Sequence, residues 1–254
     1  MMRCALVLLG LMGLVAAGCG STTKTVTVTR TVPATTAPQP QTKTSLRAYF
    51  LKDGRVQPVA RDVPQTKAVA SAALDELAKG PTEIETRDLQ LTSDVKDAGT
   101  VSVSNGLATL AGVKGGSLAG LAQVVYTLTQ FPTVKSVEID GKRYTRAHFE
   151  DETPIIAVES PLPFQHVTSP LRATGTANTF EATFEYELTD PDGKIVATHF
   201  VTATSGSGQR GTFDFTVPFQ VDREGLGELV VYERSAKDGS RVHVNEVPIY
   251  LAKS

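Results

Sequence analysis

The chain has 254 residues, with 25 Lys and Arg against 27 Asp and Glu, a formal net charge of −2 and only two cysteines. That balance excludes the basic stripe of a nucleic-acid-binding protein and the single-sign block of a polyanionic tail. The length suits two ordinary domains.

The chain opens with the three parts of a secretory signal. Arg3 supplies the positive charge, Ala5 to Val15 the apolar run, and Ala16, Ala17 and Gly18 the small residues before Cys19. The run is shorter than the about 20 apolar residues needed to span a bilayer. Residues 1–18 therefore read as a lipoprotein signal peptide and Cys19 as the lipidation site. The expected result is a palmitate-bearing, lipid-anchored protein on the extracytoplasmic face of a bacterial cell membrane. Ala16 stands where a lipobox usually has Leu, Val or Ile, so a plain signal peptide that leaves a free thiol is the alternative. Cys4 lies within the signal, so the mature chain cannot form an intramolecular disulfide. Residues 19–44 are dominated by Thr, Pro, Gln and Ala, contain no aromatic residue and are expected to form an extended tether.

Residues 45–150 mix two periods. Three Asp-Gly or Asn-Gly steps, at Asp53-Gly54, Asn105-Gly106 and Asp140-Gly141, sit between strand-like runs and predict three hairpins. A helix is predicted over 64–79, with Val69, Ala73 and Leu77 on one face and Gly80-Pro81 as its stop. A second, over 117–130, has Ser117 as its cap and Leu118, Leu121, Val125 and Leu128 as its core stripe. The order ββα, ββα, ββ predicts an α+β domain with helices on a largely antiparallel sheet.

In residues 153–254 the helical period disappears. Seven strands are predicted, over 155–158, 171–176, 180–188, 194–202, 212–217, 228–234 and 241–251, which suggests an all-β sandwich. Phe180, Ala182, Phe184, Tyr186 and Leu188 alternate with Glu181, Thr183, Glu185 and Glu187, so one face is expected in the core and the other in water.

No catalytic residue, metal ligand or cofactor-binding residue emerges from the spacing. Gly112, Gly115, Gly116 and Ser117 precede a helix, but Gly116 stands where a phosphate-binding loop needs its lysine. Ser205 to Gly208 lacks the glycine two residues before Ser207 that a nucleophile elbow requires. Glu181, Glu185 and Glu187 share a strand face and raise the possibility of a glycosidase carboxylate pair, against the reading of a solvated sheet face. His148, His166, His199 and His243 are widely separated, and no spacing matches a metal motif.

The runs AYFLKDGRVQPVARDVP, ALDELAKGPTE and LAGLAQVVYTLTQFPTVKSVEIDGK resemble the GerMN domain of sporulation and germination proteins and of many bacterial lipoproteins. The run ESPLPFQHVTSPLRATGTANTFEATFEYELTDPDGK, with RGTFDFTVPF and YERSAKDGSRV, resembles the immunoglobulin-like Gmad2 domain. The resemblance implies a non-enzymatic envelope component that binds an envelope protein or itself, touches the membrane through its N-terminal lipid, and takes no nucleic acid and no cofactor. An envelope hydrolase and a soluble-ligand or cell-wall binding protein are the alternatives. Many Gmad2 relatives carry cysteines where this chain reads Ser205 to Gln209, which implies a more mobile loop here.

Overall fold

The computed structural model describes residues 42–113 and 116–253. The signal segment, Cys19 and nearly all of the expected tether lie outside the described residues, as does Gly115.

The first strand, β1 (Lys43–Lys52), begins two residues inside the segment expected to be tether. It pairs antiparallel with β2 (Arg55–Pro64) from Lys43↔Pro64 to Lys52↔Arg55. Asp53 and Gly54 both have positive φ, as do Asn105 with Gly106 and Asp140 with Gly141. All three predicted hairpins therefore turn in the left-handed conformation that matches strand twist. Pro64 closes β2 rather than opening a helix, and α1 runs over Val69–Lys79. A short helix the periodicity does not announce, α2 (Glu83–Leu89), follows at once. Thr82 accepts from the Glu85 amide, and the Glu85 carboxylate accepts from the Thr82 amide at 2.8 Å, a reciprocal cap. Arg61 holds that carboxylate with two bonds of 2.6 Å.

Next come β3 (Thr100–Ser104), β4 (Leu107–Ala111), α3 (Leu118–Leu128), β5 (Ser136–Ile139) and β6 (Lys142–Tyr144). These four strands form their own sheet in the order β3-β4-β5-β6, and β1–β2 is separate. The expected single sheet is thus two. Because α3 crosses between β4 and β5, that pair is parallel rather than antiparallel.

Helix α3 is buried almost all round from Ala122 to Leu128, whereas Leu118, its first residue, is exposed rather than part of the core stripe. Its polar side chains, with Gln130 just past its end, serve the free edge of β1. Thr127 accepts from the Tyr49 amide, Gln123 donates to the Tyr49 carbonyl, and Gln130 both accepts from and donates to Arg47. Backbone groups that another strand would have paired are satisfied by a helix.

The second half holds β7 (Ile156–Ser160), β8 (His166–Val167), β9 (Leu171–Ala177), β10 (Thr183–Thr189), β11 (Ile195–Thr202), β12 (Gly211–Val217), β13 (Gly225–Arg234) and β14 (Arg241–Leu251). They form sheets β11-β10-β13-β14-β8 and β12-β9-β7, an immunoglobulin-like sandwich. Only the two-residue β8 has no counterpart among the predicted strands. Phe184 and Phe213 meet across the core with ring centres 5.0 Å apart. Gly175 permits that contact, since a Cβ there would stand 2.1 Å from the Ala157 carbonyl oxygen and 2.5 Å from Phe213. Residues 180–182 are not strand: Glu181 and Ala182 take positive φ, leaving Phe180 67% exposed and Glu181 off the β10 face.

Two large hydrophobic cores and a small satellite of Leu46, Val63 and Ala73 result. One includes Phe50, Leu77, Leu128 and Phe149, the other Ile156, Phe184, Leu229 and Ile249.

Candidate functional site

Where the two cores meet, side chains from four elements converge. Arg146, on a short 3-10 turn after β6, reaches Glu159 on β7 at 2.7 Å, the Thr129 hydroxyl at 2.8 Å and the Tyr49 hydroxyl at 3.3 Å. Tyr49, 1% exposed on β1, donates its hydroxyl to the other Glu159 oxygen. The Arg146 guanidinium lies 4.4 Å from the Tyr126 ring centre and 5.4 Å from that of Tyr49, within cation–π range of both. Burial, then the Glu159 charge, push the Tyr49 phenol far above its ordinary value, so it stays a donor.

The connection between the halves is itself held. Val56 donates to the Glu152 carbonyl at 2.8 Å, and the buried Thr153 hydroxyl bonds the Tyr126 hydroxyl and the Phe149 carbonyl, each at 2.6 Å. Arg210 grips Glu150 at 2.8 and 2.9 Å while Asn178 adds a bond of 2.8 Å, and the Arg210 bonds hold that carboxyl below its usual range against the opposing effect of burial. Phe164, from the second half, packs against the first core. Residues 150–154, which connect the halves, are knitted to both sides. Sequence reasoning missed this joint because Tyr49, Arg146 and Glu159 lie far apart in the chain and form no local pattern.

A second cluster occupies the outer face of the five-stranded sheet. Glu185 and Glu187 both lie within bonding distance of the Tyr232 hydroxyl, at 2.8 and 2.9 Å. Arg234 pairs with Glu185 and Arg241 with Glu187, and both guanidinium groups lie over the Tyr232 ring. The expectation of a fully solvated face is corrected here: Glu187 is 7% exposed and Tyr232 is fully buried, because the two arginine stems and the ring cover the carboxylates. Burial first, then the two carboxylates, push Tyr232 up to about 12. Arg234 holds Glu185 below the usual carboxylate range. A glycosidase pair requires one carboxyl kept protonated as acid, and Glu185 is driven the opposite way.

The remaining candidates stay apart. His148 bonds Thr145, His166 stacks on Tyr250, His199 lies against Phe200 and His243 bonds Glu233. Among the described residues no His, Cys, Asp or Glu cluster suits a metal ion, and no helix is long and apolar enough to cross a membrane. Ser117 caps α3 by accepting from the Gly120 amide at 2.9 Å and donates to Asp94 at 2.6 Å, so the chain's own carboxylate lies at that helix start. The loop after Ala203, expected to be loose without a disulfide, is tied instead by hydrogen bonds. Ser207 donates to the Thr179 carbonyl and accepts from the Glu181 amide, and the Gly208 amide donates to Asn178.

Residues 47–145 match the Germane family, described as sporulation and spore germination, and residues 155–240 match Gmad2, described as the immunoglobulin-like domain of bacterial spore germination. The chain joins a Germane domain to a Gmad2 domain. Neither family description names a catalytic activity. Among solved structures, the chain is similar to the tandem GerMN domains of the sporulation protein GerM from Bacillus subtilis, with 28% identity and a TM-score of 0.32 over 39% of this chain. The match spans 40% of that chain's length. A search of curated proteins finds no match. The joint therefore lies between the Germane match and the Gmad2 match: Tyr49 and Tyr126 belong to the first and Glu159 to the second, with Arg146 one residue past the end of the Germane match.

Proposed function

We propose that this protein is a lipid-anchored, non-catalytic component of the bacterial cell envelope. Its Germane and Gmad2 domains act as one binding or assembly body in sporulation or germination. The observation that carries the reading is the joint. Arg146, Tyr49 and Glu159 spend their charge and hydrogen bonds on fixing two domains against each other, an arrangement suited to presenting a composite surface rather than to turning over a substrate. The Glu185–Glu187 cluster supports the same reading, since its ionisable groups are paired with one another. The signal-like segment and Cys19 supply the anchor, and residues 20–42 the reach.

The test is cross-linking in intact cells that are entering sporulation or germinating, followed by membrane fractionation. The expected result is a membrane-bound protein that forms adducts with an envelope protein or with itself, and whose Cys19→Ala variant is released or stalls in processing. A wild-type protein recovered as free monomer with unmodified Cys19 overturns the proposal.

A further inference from the structure

The sandwich has one long edge without the usual protection. Strand β11 closes the five-stranded sheet on one side, and among the described residues only β10 pairs with it. Its eight residues, Ile195 to Thr202, include no charge and no proline. Ile195 is 46% exposed and Phe200 61%. The other sheet edges are managed by devices that discourage pairing. β8 at the opposite side has two residues, and the length of β14 it leaves unpaired carries Arg241, Glu246 and Pro248. β2 carries Arg55, Arg61, Asp62 and two prolines, β6 has three residues and carries Lys142 and Arg143, β7 has its Glu159 drawn into the joint, and β12 presents Asp214 paired with Arg172. β3 is uncharged but has five residues and exposes one large apolar side chain, Val103.

The charges at the two ends of β11 say what fits there. Lys194, exposed, immediately precedes the strand. At the far end Ala203 donates to the Ala182 carbonyl at 2.8 Å, which brings the exposed Glu181 beside that end. In the turn before the strand Asp192 is paired with Arg223 and Asp190 accepts from the Asp192 and Lys194 amides, which leaves Lys194 as the exposed charge beside that end. Glu181 stands beside the other, with eight neutral residues between. Laid antiparallel on itself about a two-fold axis, such an edge sets each Lys194 against the partner's Glu181 and meets no like charge along its length. A parallel arrangement would set like on like. Beside the Lys194 end an open hollow of about 550 Å³, lined by Ile195, Val196, Pro218 and Phe219 among others, leaves room for the far end of a second strand.

We infer that β11 is a homotypic docking edge: two copies of this chain pair antiparallel through Ile195–Thr202, join their five-stranded sheets and bury Phe200 of each. The occupant is a second copy because the edge complements itself in charge. The inference rests on the assembly reading above and specifies its partner and surface. Confinement of anchored chains to one membrane layer would raise their local concentration and favour a pairing that is weak in dilute solution.

The experiment uses the detergent-solubilised full chain, with mass measured by sedimentation across a concentration series and Lys194–Glu181 adducts mapped after carbodiimide treatment. A concentration-dependent dimer with that adduct is expected. Phe200→Lys, which changes an exposed side chain and should leave the thermal melt intact, is expected to weaken dimerisation about 30-fold, as for loss of a central apolar anchor. Lys194→Glu should weaken it as well, and adding Glu181→Lys should restore it, a rescue that a merely structural role for either residue would not give. A dimer insensitive to Phe200→Lys and Lys194→Glu overturns the edge while leaving assembly in place. A chain that stays monomeric and gives no adduct with any protein in cells overturns both.

Discussion

The joint and the outer sheet face use the same chemistry in two settings. Each combines tyrosine hydroxyl, carboxylate and a guanidinium over an aromatic ring. In the joint, the carboxylate comes from one domain and its partners from the other, and Arg146 and Glu159 keep 30% and 16% of their side-chain surface. On the sheet face all members belong to one sheet, and although Glu187 keeps only 9%, the cations Arg234 and Arg241 keep 49% and 44%. The comparison teaches that the residue set does not determine its worth. Water decides: removing one member strands the others where they cannot be rehydrated, and little is lost where solvent can take its place.

Three measurements sharpen that contrast. Arg146→Met should cause the largest loss. It leaves Glu159 and the buried Tyr49 hydroxyl facing each other without their cation, at a cost of about 2 kcal/mol, less than the about 3 to 5 expected for a fully buried pair. Because the lost contact joins two domains, chemical denaturation should also separate into two transitions. A single transition at the wild-type midpoint would show that the joint does not couple them. Glu187→Gln on the sheet face should cost about 1 kcal/mol, since the amide still accepts from Tyr232 and the Arg241 side chain that loses its partner is 44% exposed and can be rehydrated. A loss equal to that of Arg146→Met would erase the distinction.

The smallest effect is in acid. Glu150 is held below its ordinary value of 4.5, first by Arg210. A carboxyl with a depressed folded pKa contributes its full stability above the ordinary value and loses it as the pH falls through the folded one. Thermal melts should therefore show stability declining below about pH 4.5, and Glu150→Gln, less stable at neutral pH, should decline less over the same interval. Parallel curves for the two proteins would remove Glu150 from the acid response.

Local chemistry was legible in the sequence, and long-range convergence was not. The Asp53-Gly54, Asn105-Gly106 and Asp140-Gly141 turns could be read directly, because a two-residue hairpin demands residues that tolerate positive φ. Seven sandwich strands followed from alternation and turn residues. Helix α2 was missed although Thr82 and Glu85 carry its capping signature; at seven residues it is too short for the apolar period to register. Alternation correctly assigned Glu185 and Glu187 to the outer face. It says nothing about what lies across from them, and Tyr232, Arg234 and Arg241 arrive from strands about 45 to 54 residues away. The joint is further out of reach, because Tyr49 and Glu159 are 110 residues apart.

The way α3 finishes the edge of β1 has a mechanical consequence. A pull applied at Lys43 along the strand axis acts on β1. Along its 10 residues β1 is bonded to β2 on one side, and Gln123 and Thr127 of α3, with Gln130 just past its end, grip Tyr49 and Arg47 on the other. Load along that axis is carried in shear by many backbone bonds at once rather than by one terminal pair, and the helix side chains act as rivets behind the ladder.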